Sequence, residues 1–160
     1  MIVLGDFLGE VCKIIFPITD EVYLGNPKSS ISICTLSSIS LLKNIASSDL
    51  MKEINLVGRL LSENKGIDSI VRYVNSNETI KTLIVCGKEV FGHRAGISLL
   101  DLYNNGITNN GKIINSSSPD PTLTVTQNEV KKFRNKVRII NKIGETNLEE
   151  ITKLVKSIKN

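Results

Sequence analysis

The sequence predicts an α/β fold, a small and mostly parallel sheet with flanking helices in a single domain. Three observations carry it. "SSISICTL", "EINLVG" and "TLIVCG" are short, apolar and partly β-branched, as strands buried on both faces require. Between the second and third lies "GIDSIVRYVNSN", where Ile67, Ile70, Val71 and Val74 fall at helical spacing. More segments of helical pattern follow. A strand–helix–strand unit of this length puts its strands parallel, with a right-handed crossover.

The elements are expected in this order. "GNPKSS" is a turn before a first strand over 31–36. A second strand covers 53–58, a helix 66–77 and a third strand 82–87. "HRAGISLLDLYNNG" is a helix with Ile97, Leu100 and Leu102 on its apolar side and Gly106 as C-cap. "GKIINSSSPDPTLTVTQNE" reads as a short strand and a Ser/Pro-rich loop. Thr126 with Glu129 forms a capping box for a helix running through Ile143. "TNLEEITKLVKSIK" is a last amphipathic helix, with Leu148, Ile151, Val155 and Ile158 on one face and lysines on the other. Residues 1–24 read as an N-terminal extension, 25–144 as the core and 145–160 as the terminal helix.

Composition narrows the function. With 160 residues, 41% hydrophobic and 22% charged, the chain can build one real core. That core is aliphatic, since 4% of residues are aromatic and Trp is absent. The net charge of +4 is mild and lies mostly after Glu129 in "EVKKFRNKVRIINK", so a nucleic-acid partner is not expected. "MIVLGDFLGEVCKIIF" is apolar but has no basic start and carries Asp6 and Glu10, unlike a signal peptide. The longest uncharged run, 29–42, is too short to span a bilayer. A soluble, cytoplasmic chain without a transmembrane segment is therefore expected. Cys12, Cys34 and Cys86 read as reduced core thiols.

In open α/β sheets ligands bind beyond the carboxyl ends of the strands. Residues 35–38, 59–66 and 87–96 leave those ends, and the loop 115–121 joins them. The last of these exits, "GKEVFGHRAG", nearly spells a phosphate-binding loop. But His93 stands where that loop needs Lys, and Arg94 where it needs a Mg²⁺-ligating hydroxyl. Imidazole, with an unperturbed pKa near ~6.5, is no permanent cation. The chain's single histidine also lacks the partners of a zinc site. Read from the residues alone, His93 is either a polar loop histidine or the one protein ligand of a metal that brings its other ligands with it. "HRAG" matches the His-x-x-Gly core of the Asp-x-His-x-x-Gly signature of cobalamin-binding domains, with Phe91 at the Asp position.

"LIVCGKEVFGHRAGISLLDLYNNGI" closely resembles the corrinoid-carrying, A-type subunit of tetrahydromethanopterin S-methyltransferase. The family pattern, approximately Leu-Ile-x-Cys-Gly-x-Glu-Val-x-Gly-His-x-x-Gly, is met by Leu83, Ile84, Cys86, Gly87, Glu89, Val90, Gly92, His93 and Gly96. "GNPKSSISICTL" and "VGRLLSENKGID" resemble two other family stretches in the same order. The resemblance covers most of the chain up to about Gly144.

The resemblance implies a Rossmann-like fold that binds a cobamide (cobalamin or 5-hydroxybenzimidazolylcobamide), with His93 as axial ligand of its cobalt. It implies a methyltransferase component that accepts a methyl group from methyl-tetrahydromethanopterin or a related donor and presents it to a thiol such as coenzyme M. Other methyltransferase subunits are the implied protein partners. Gly87, Gly92 and Gly96 would let the backbone approach a flat, bulky ring, or are simple turn glycines. Thr35, Leu36, Glu63 and Asn64 match family motifs at strand ends. Glu63 and Asn64 either hydrogen-bond corrin amides or cap the helix near Gly66. Glu89 either orients the second nitrogen of His93 or is a solvated loop carboxylate. The family's Gly-Ala-Ile-Pro segment survives only as "SSSPDPTL", with Pro121 its nearest equivalent, and Ser30 stands where the family has Pro. Full-length members end in a membrane-spanning helix; here the amphipathic end favours a soluble homologue over a truncated one. Two rivals remain at this point: a corrinoid-storage module without methyl transfer, and an interaction domain that has lost its cofactor.

Overall fold

The computed structural model describes residues 22–159. Five strands form one sheet: β1 (Val22–Leu24), β2 (Ile31–Cys34), β3 (Leu56–Gly58), β4 (Thr82–Gly87) and β5 (Arg138–Ile143), in the order β1-β3-β2-β4-β5. β3, β2, β4 and β5 run parallel, and the short β1 lies antiparallel against β3. Among the described residues five α-helices flank the sheet: α1 (Ile39–Ala46), α2 (Lys65–Ser76), α3 (Ala95–Asn105), α4 (Gln127–Lys136) and α5 (Leu148–Lys159). This is the expected α/β architecture.

Alternation along the strands divides the core. On β4, Leu83 and Val85 face α2, α3 and α4, packing with Ile67, Val71, Leu99, Leu102 and Phe133. Ile84 and Cys86 face the other way, with Leu41, Leu42 and Ile45 of α1 and Ile151 and Val155 of α5. The terminal helix is thus part of the core, and Lys153, Lys156 and Lys159 are exposed. Among the described residues no helix is long and apolar enough to cross a membrane.

Three expectations are corrected. The helix opened by the Thr126–Glu129 capping box does not run through Ile143. It ends at Lys136, Val137 is extended, and Arg138–Ile143 becomes β5. The run Val137-Arg138-Ile139-Ile140 is β-branched at three of four positions and fits a pleated edge better than a helix. Paired from Thr82↔Arg138 to Gly87↔Ile143, it covers an edge of β4 that would otherwise be open. The first strand stops at Cys34, because Leu36 turns the chain with φ 50°. The short strand expected within "GKIINSSSPDPTLTVTQNE" is reduced to isolated bridges, Ile107↔Ile113 and Lys112↔Thr122. The readings of residues 1–16, including Cys12, lie outside the described residues.

Candidate functional site at the carboxyl edge of the sheet

The chain leaves β2 toward α1 on one face and leaves β4 toward α3 on the other, so the switch point of the sheet lies between these two strands. The two exits are tied together. The Ser37 amide donates to the Lys88 carbonyl (3.0 Å), as does the Ser37 hydroxyl (2.8 Å), and the Lys88 amide donates to Ser38 Oγ (2.8 Å). Gly87 has φ +79° and passes so close to β2 that a Cβ there would sit 2.2 Å from the Thr35 carbonyl oxygen. Close approach and a left-handed backbone both demand glycine here. The loop 88–94 rises above this seam and carries His93 at its tip.

His93 reaches across the end of β2 to the loop that follows β3. Its Nδ1 lies 2.9 Å from Glu63 Oε2, with the imidazole side chain 58% exposed and the carboxylate side chain 2%. The other carboxylate oxygen, Glu63 Oε1, accepts the Asp120 amide at 3.1 Å. Asn64 caps α2 by accepting the Lys65 amide (2.7 Å), and its Nδ2 donates to Asp120 Oδ2 (3.1 Å). Three loops thus meet around the His93–Glu63 pair: 88–94 carries the histidine, 59–64 the carboxylate, and 116–121 the Asp120 amide that holds the carboxylate. Pro121 follows Asp120, is buried, and its carbonyl accepts the Ile113 amide (2.9 Å).

Glu89 does not orient His93. Its carboxylate accepts the Gly96 amide (3.0 Å) and the Ile97 amide (2.8 Å), along with the Val90 amide (2.7 Å). The first turn of α3 therefore has an anionic cap supplied by the chain itself. In a phosphate loop the ligand's phosphate takes that place. This explains physically why the sequence stops short of one.

The remaining predicted residues sort by exposure. Thr35 and Leu36 are fully buried beneath the His93–Glu63 pair; the Thr35 amide donates to the Gly58 carbonyl (2.8 Å) and Arg59 Nε to the Leu36 carbonyl (3.1 Å). Gly96 is buried as well, and a Cβ on it would meet Leu36 Cδ1 at 2.8 Å and Ile143 Cδ1 at 3.1 Å. Gly92 differs: φ is +79° and the space where a Cβ would stand is open. Below the loops, burial pushes the Cys34 thiol up to about 12, and burial likewise raises that of Cys86.

Sequence reasoning missed several members of this edge. Asp120 supplies both an amide to Glu63 and a carboxylate to Asn64. Ser98 links with the hydroxyls of Ser116 and Ser118, and Ser118 Oγ donates to the Arg94 carbonyl at 3.3 Å. The non-glycine residues with positive φ among those described, Leu36, Arg94 and Asn115, all lie in loops of this region. Strained backbone concentrated at one edge accords with a functional site. The Ser run of "INSSSPDP" was the available signal, but spacing alone does not say which hydroxyls meet.

Among the described residues no three His, Cys, Asp or Glu side chains gather as a metal-holding group. The donor set suits a metal that needs one protein nitrogen. Glu63 engages Nδ1 of the exposed imidazole, and Nε2 is the ring nitrogen this pairing leaves over.

The family model MtrA, which describes the A-type subunit of tetrahydromethanopterin S-methyltransferase, matches residues 12–160. A protein of Methanosarcina barkeri (strain Fusaro / DSM 804), named as the A-type subunit of the Mtx methyltransferase, is 37% identical over 146 residues, 90% of this chain and 70% of that protein. A counterpart in Methanosarcina acetivorans is 32% identical over 89% of this chain and 69% of its own length. The A-type subunit of tetrahydromethanopterin S-methyltransferase in Methanocaldococcus jannaschii is 32% identical over 89% of this chain, which spans 57% of that protein. With a match over nearly its whole length, the chain belongs to the MtrA family of tetrahydromethanopterin S-methyltransferase subunits and is a methyltransferase component.

Proposed function

We propose that this chain is a cobamide-binding methyl carrier, with His93 as the axial ligand of cobalt. The observation that carries the reading is the His93–Glu63 pair: one imidazole at the switch point of the sheet, fixed at Nδ1 by a buried carboxylate and exposed at its other side. When bound, the cobamide supplies a metal that accepts and releases a methyl group. The chain's own part is to hold and aim the ligand. Glu63 fixes the plane of the ring and the nitrogen that points outward. The Asp120 amide fixes Glu63 in turn, and Asn64 holds Asp120 through its carboxylate. The seam between Ser37, Ser38 and Lys88 anchors the base of the loop.

The names of the relatives support a tetrahydromethanopterin-type methyl donor and a place among other methyltransferase subunits. A thiol, such as coenzyme M, is the acceptor in this reading. The open space about Gly92 would leave the tip room to adjust to a bound cofactor.

Electron paramagnetic resonance of the full chain loaded with cob(II)alamin tests the ligand. One axial nitrogen is expected, and its splitting changes when histidine is ¹⁵N-labelled. His93→Ala loses that signal and keeps part of the binding. A nitrogen that stays that of the cofactor's own base overturns the assignment. Methylation of the reduced, loaded chain by a methyl-tetrahydropterin then separates a carrier from a storage module.

A further inference from the structure

Phe91 is completely bare, 100% exposed, whereas the other exposed large apolar side chains among the described residues, Leu24, Ile39 and Ile114, reach 55%, 41% and 36%. A single exposed apolar residue is ordinary on a protein surface. Position gives this one its meaning. Phe91, Gly92 and His93 are successive residues of one turn. Two peptide links hold the α-carbons of Phe91 and His93 within about 7 Å of each other. The Arg94 amide, on the other flank, is already bonded to the Val90 carbonyl (2.9 Å) as the loop closes into α3. The exposed tip is Phe91, Gly92, His93 and Arg94, and its one large apolar side chain lies two residues from the imidazole.

A macrocycle whose metal accepts His93 Nε2 spreads its pyrroline rings around that point in every direction. A side chain anchored within about 7 Å of the ligand's backbone is within reach of such a plate. We infer that Phe91 packs under the corrin beside His93, as an apolar cover on the face from which the imidazole approaches. This rests on the reading of His93 as axial ligand. The occupant fits the side chain, because a phenyl ring offers area without a polar group to satisfy. The cover has two consequences. It keeps water from the metal–imidazole bond, and it fills volume that the cofactor's own lower base would need in order to return to the metal.

The competing occupant, a protein docked on Phe91, is an outcome of the test. Full-length chain is titrated in the dark with methylcobalamin. Phe91→Ala is expected to weaken binding about tenfold, as loss of one partly covered aromatic ring implies. Phe91→Leu recovers most of it, and the histidine nitrogen in the cob(II)alamin spectrum persists in both. In Phe91→Cys the new thiol is alkylated by iodoacetamide in the empty chain and protected once methylcobalamin is bound. Peptide mapping separates it from Cys12, and Cys34 and Cys86 are buried. Unchanged affinity in Phe91→Ala, or alkylation as fast after loading as before, overturns the placement of Phe91 and leaves the role of His93 standing. A chain that takes up no cobalamin, or binds it without the histidine nitrogen, overturns both.

Discussion

Glu63 and His93 face each other at 2.9 Å across the end of β2, and their environments are opposite: the carboxylate side chain is 2% exposed, the imidazole 58%. The buried partner is the fixed one. Glu63 is locked by the Asp120 amide and leaves β3 just before α2, so it orients the histidine rather than following it. That asymmetry suits a ligand that must present one nitrogen repeatedly in one direction.

Glu63→Gln is therefore expected to lower cobalamin affinity about tenfold, the lower end of what loss of an orienting partner costs a metal site. The amide keeps the size and one acceptor but loses the charge that holds Nδ1–H. Titration with cob(II)alamin, beside an unchanged circular dichroism melt, checks this. Affinity equal to wild type in a folded variant would show that His93 needs no orienting carboxylate.

The two loop glycines should separate on substitution. Gly87→Ala places a Cβ 2.2 Å from the Thr35 carbonyl at a residue with φ +79°. Strain and overlap add, and a loss of more than about 2 kcal/mol is expected. Gly92→Ala has the same φ but open space, so about 1 kcal/mol of backbone strain is all it carries. Urea unfolding of both variants measures the difference. Equal losses would mean that the seam between β2 and β4 yields more readily than its geometry indicates.

The fold and the site were unequally legible in the sequence. β2, β4 and α2 announce themselves, because strands buried on both faces leave unbroken apolar runs and α2 keeps a clean helical period. β5 was hidden because a good capping box at Thr126 invites the helix to continue and no Gly or Pro interrupts the chain from Gln127 to Ile143. Its strand character depends on a partner, the open edge of β4, that no local pattern shows. α1 was hidden in a Ser-rich run without a capping hydrogen bond at Ser38. At the site, His93 stood out by being single. Glu63 was legible as a residue but not in its role, since it lies thirty positions away and only the adjacency of β3, β2 and β4 brings it to the imidazole.

Asp68 supports the site from behind. Its carboxylate, 3% exposed on α2, accepts the Thr124 amide (2.9 Å), the Thr124 hydroxyl (2.9 Å) and the Val125 amide (2.9 Å). These bonds fasten the segment that follows Asp120 and Pro121. Asp68→Ala leaves buried donors without a partner, and a loss of about 3 kcal/mol is expected. Asp68→Asn, which retains one acceptor oxygen, should lose less. Denaturant titration checks the order. A neutral Asp68→Ala would show that the loop is held by its apolar anchors, Leu123 and Val125, alone.

The buried thiols give a stability change with pH whose sign is fixed. Burial raises the Cys34 thiol from 9.0 to about 12, with the charge of Glu89 adding to the effect and the Leu36 and Leu60 amides opposing it. Burial raises Cys86 too. The folded-state value lies above the unfolded one, so the contribution to stability is complete below about pH 9 and is lost as pH rises toward about 12. In that window the unfolded chain releases the proton and the folded chain keeps it. Stability measured by urea unfolding should fall as pH rises above about 9, and Cys34→Ala should flatten part of that slope. Native protein at pH 8 should also leave both thiols unmodified by an aromatic disulfide reagent, with reaction only after unfolding. Rapid modification of Cys34 in the native chain would mean that the loops above it open often enough to admit solvent. The floor beneath His93 would then be mobile rather than packed.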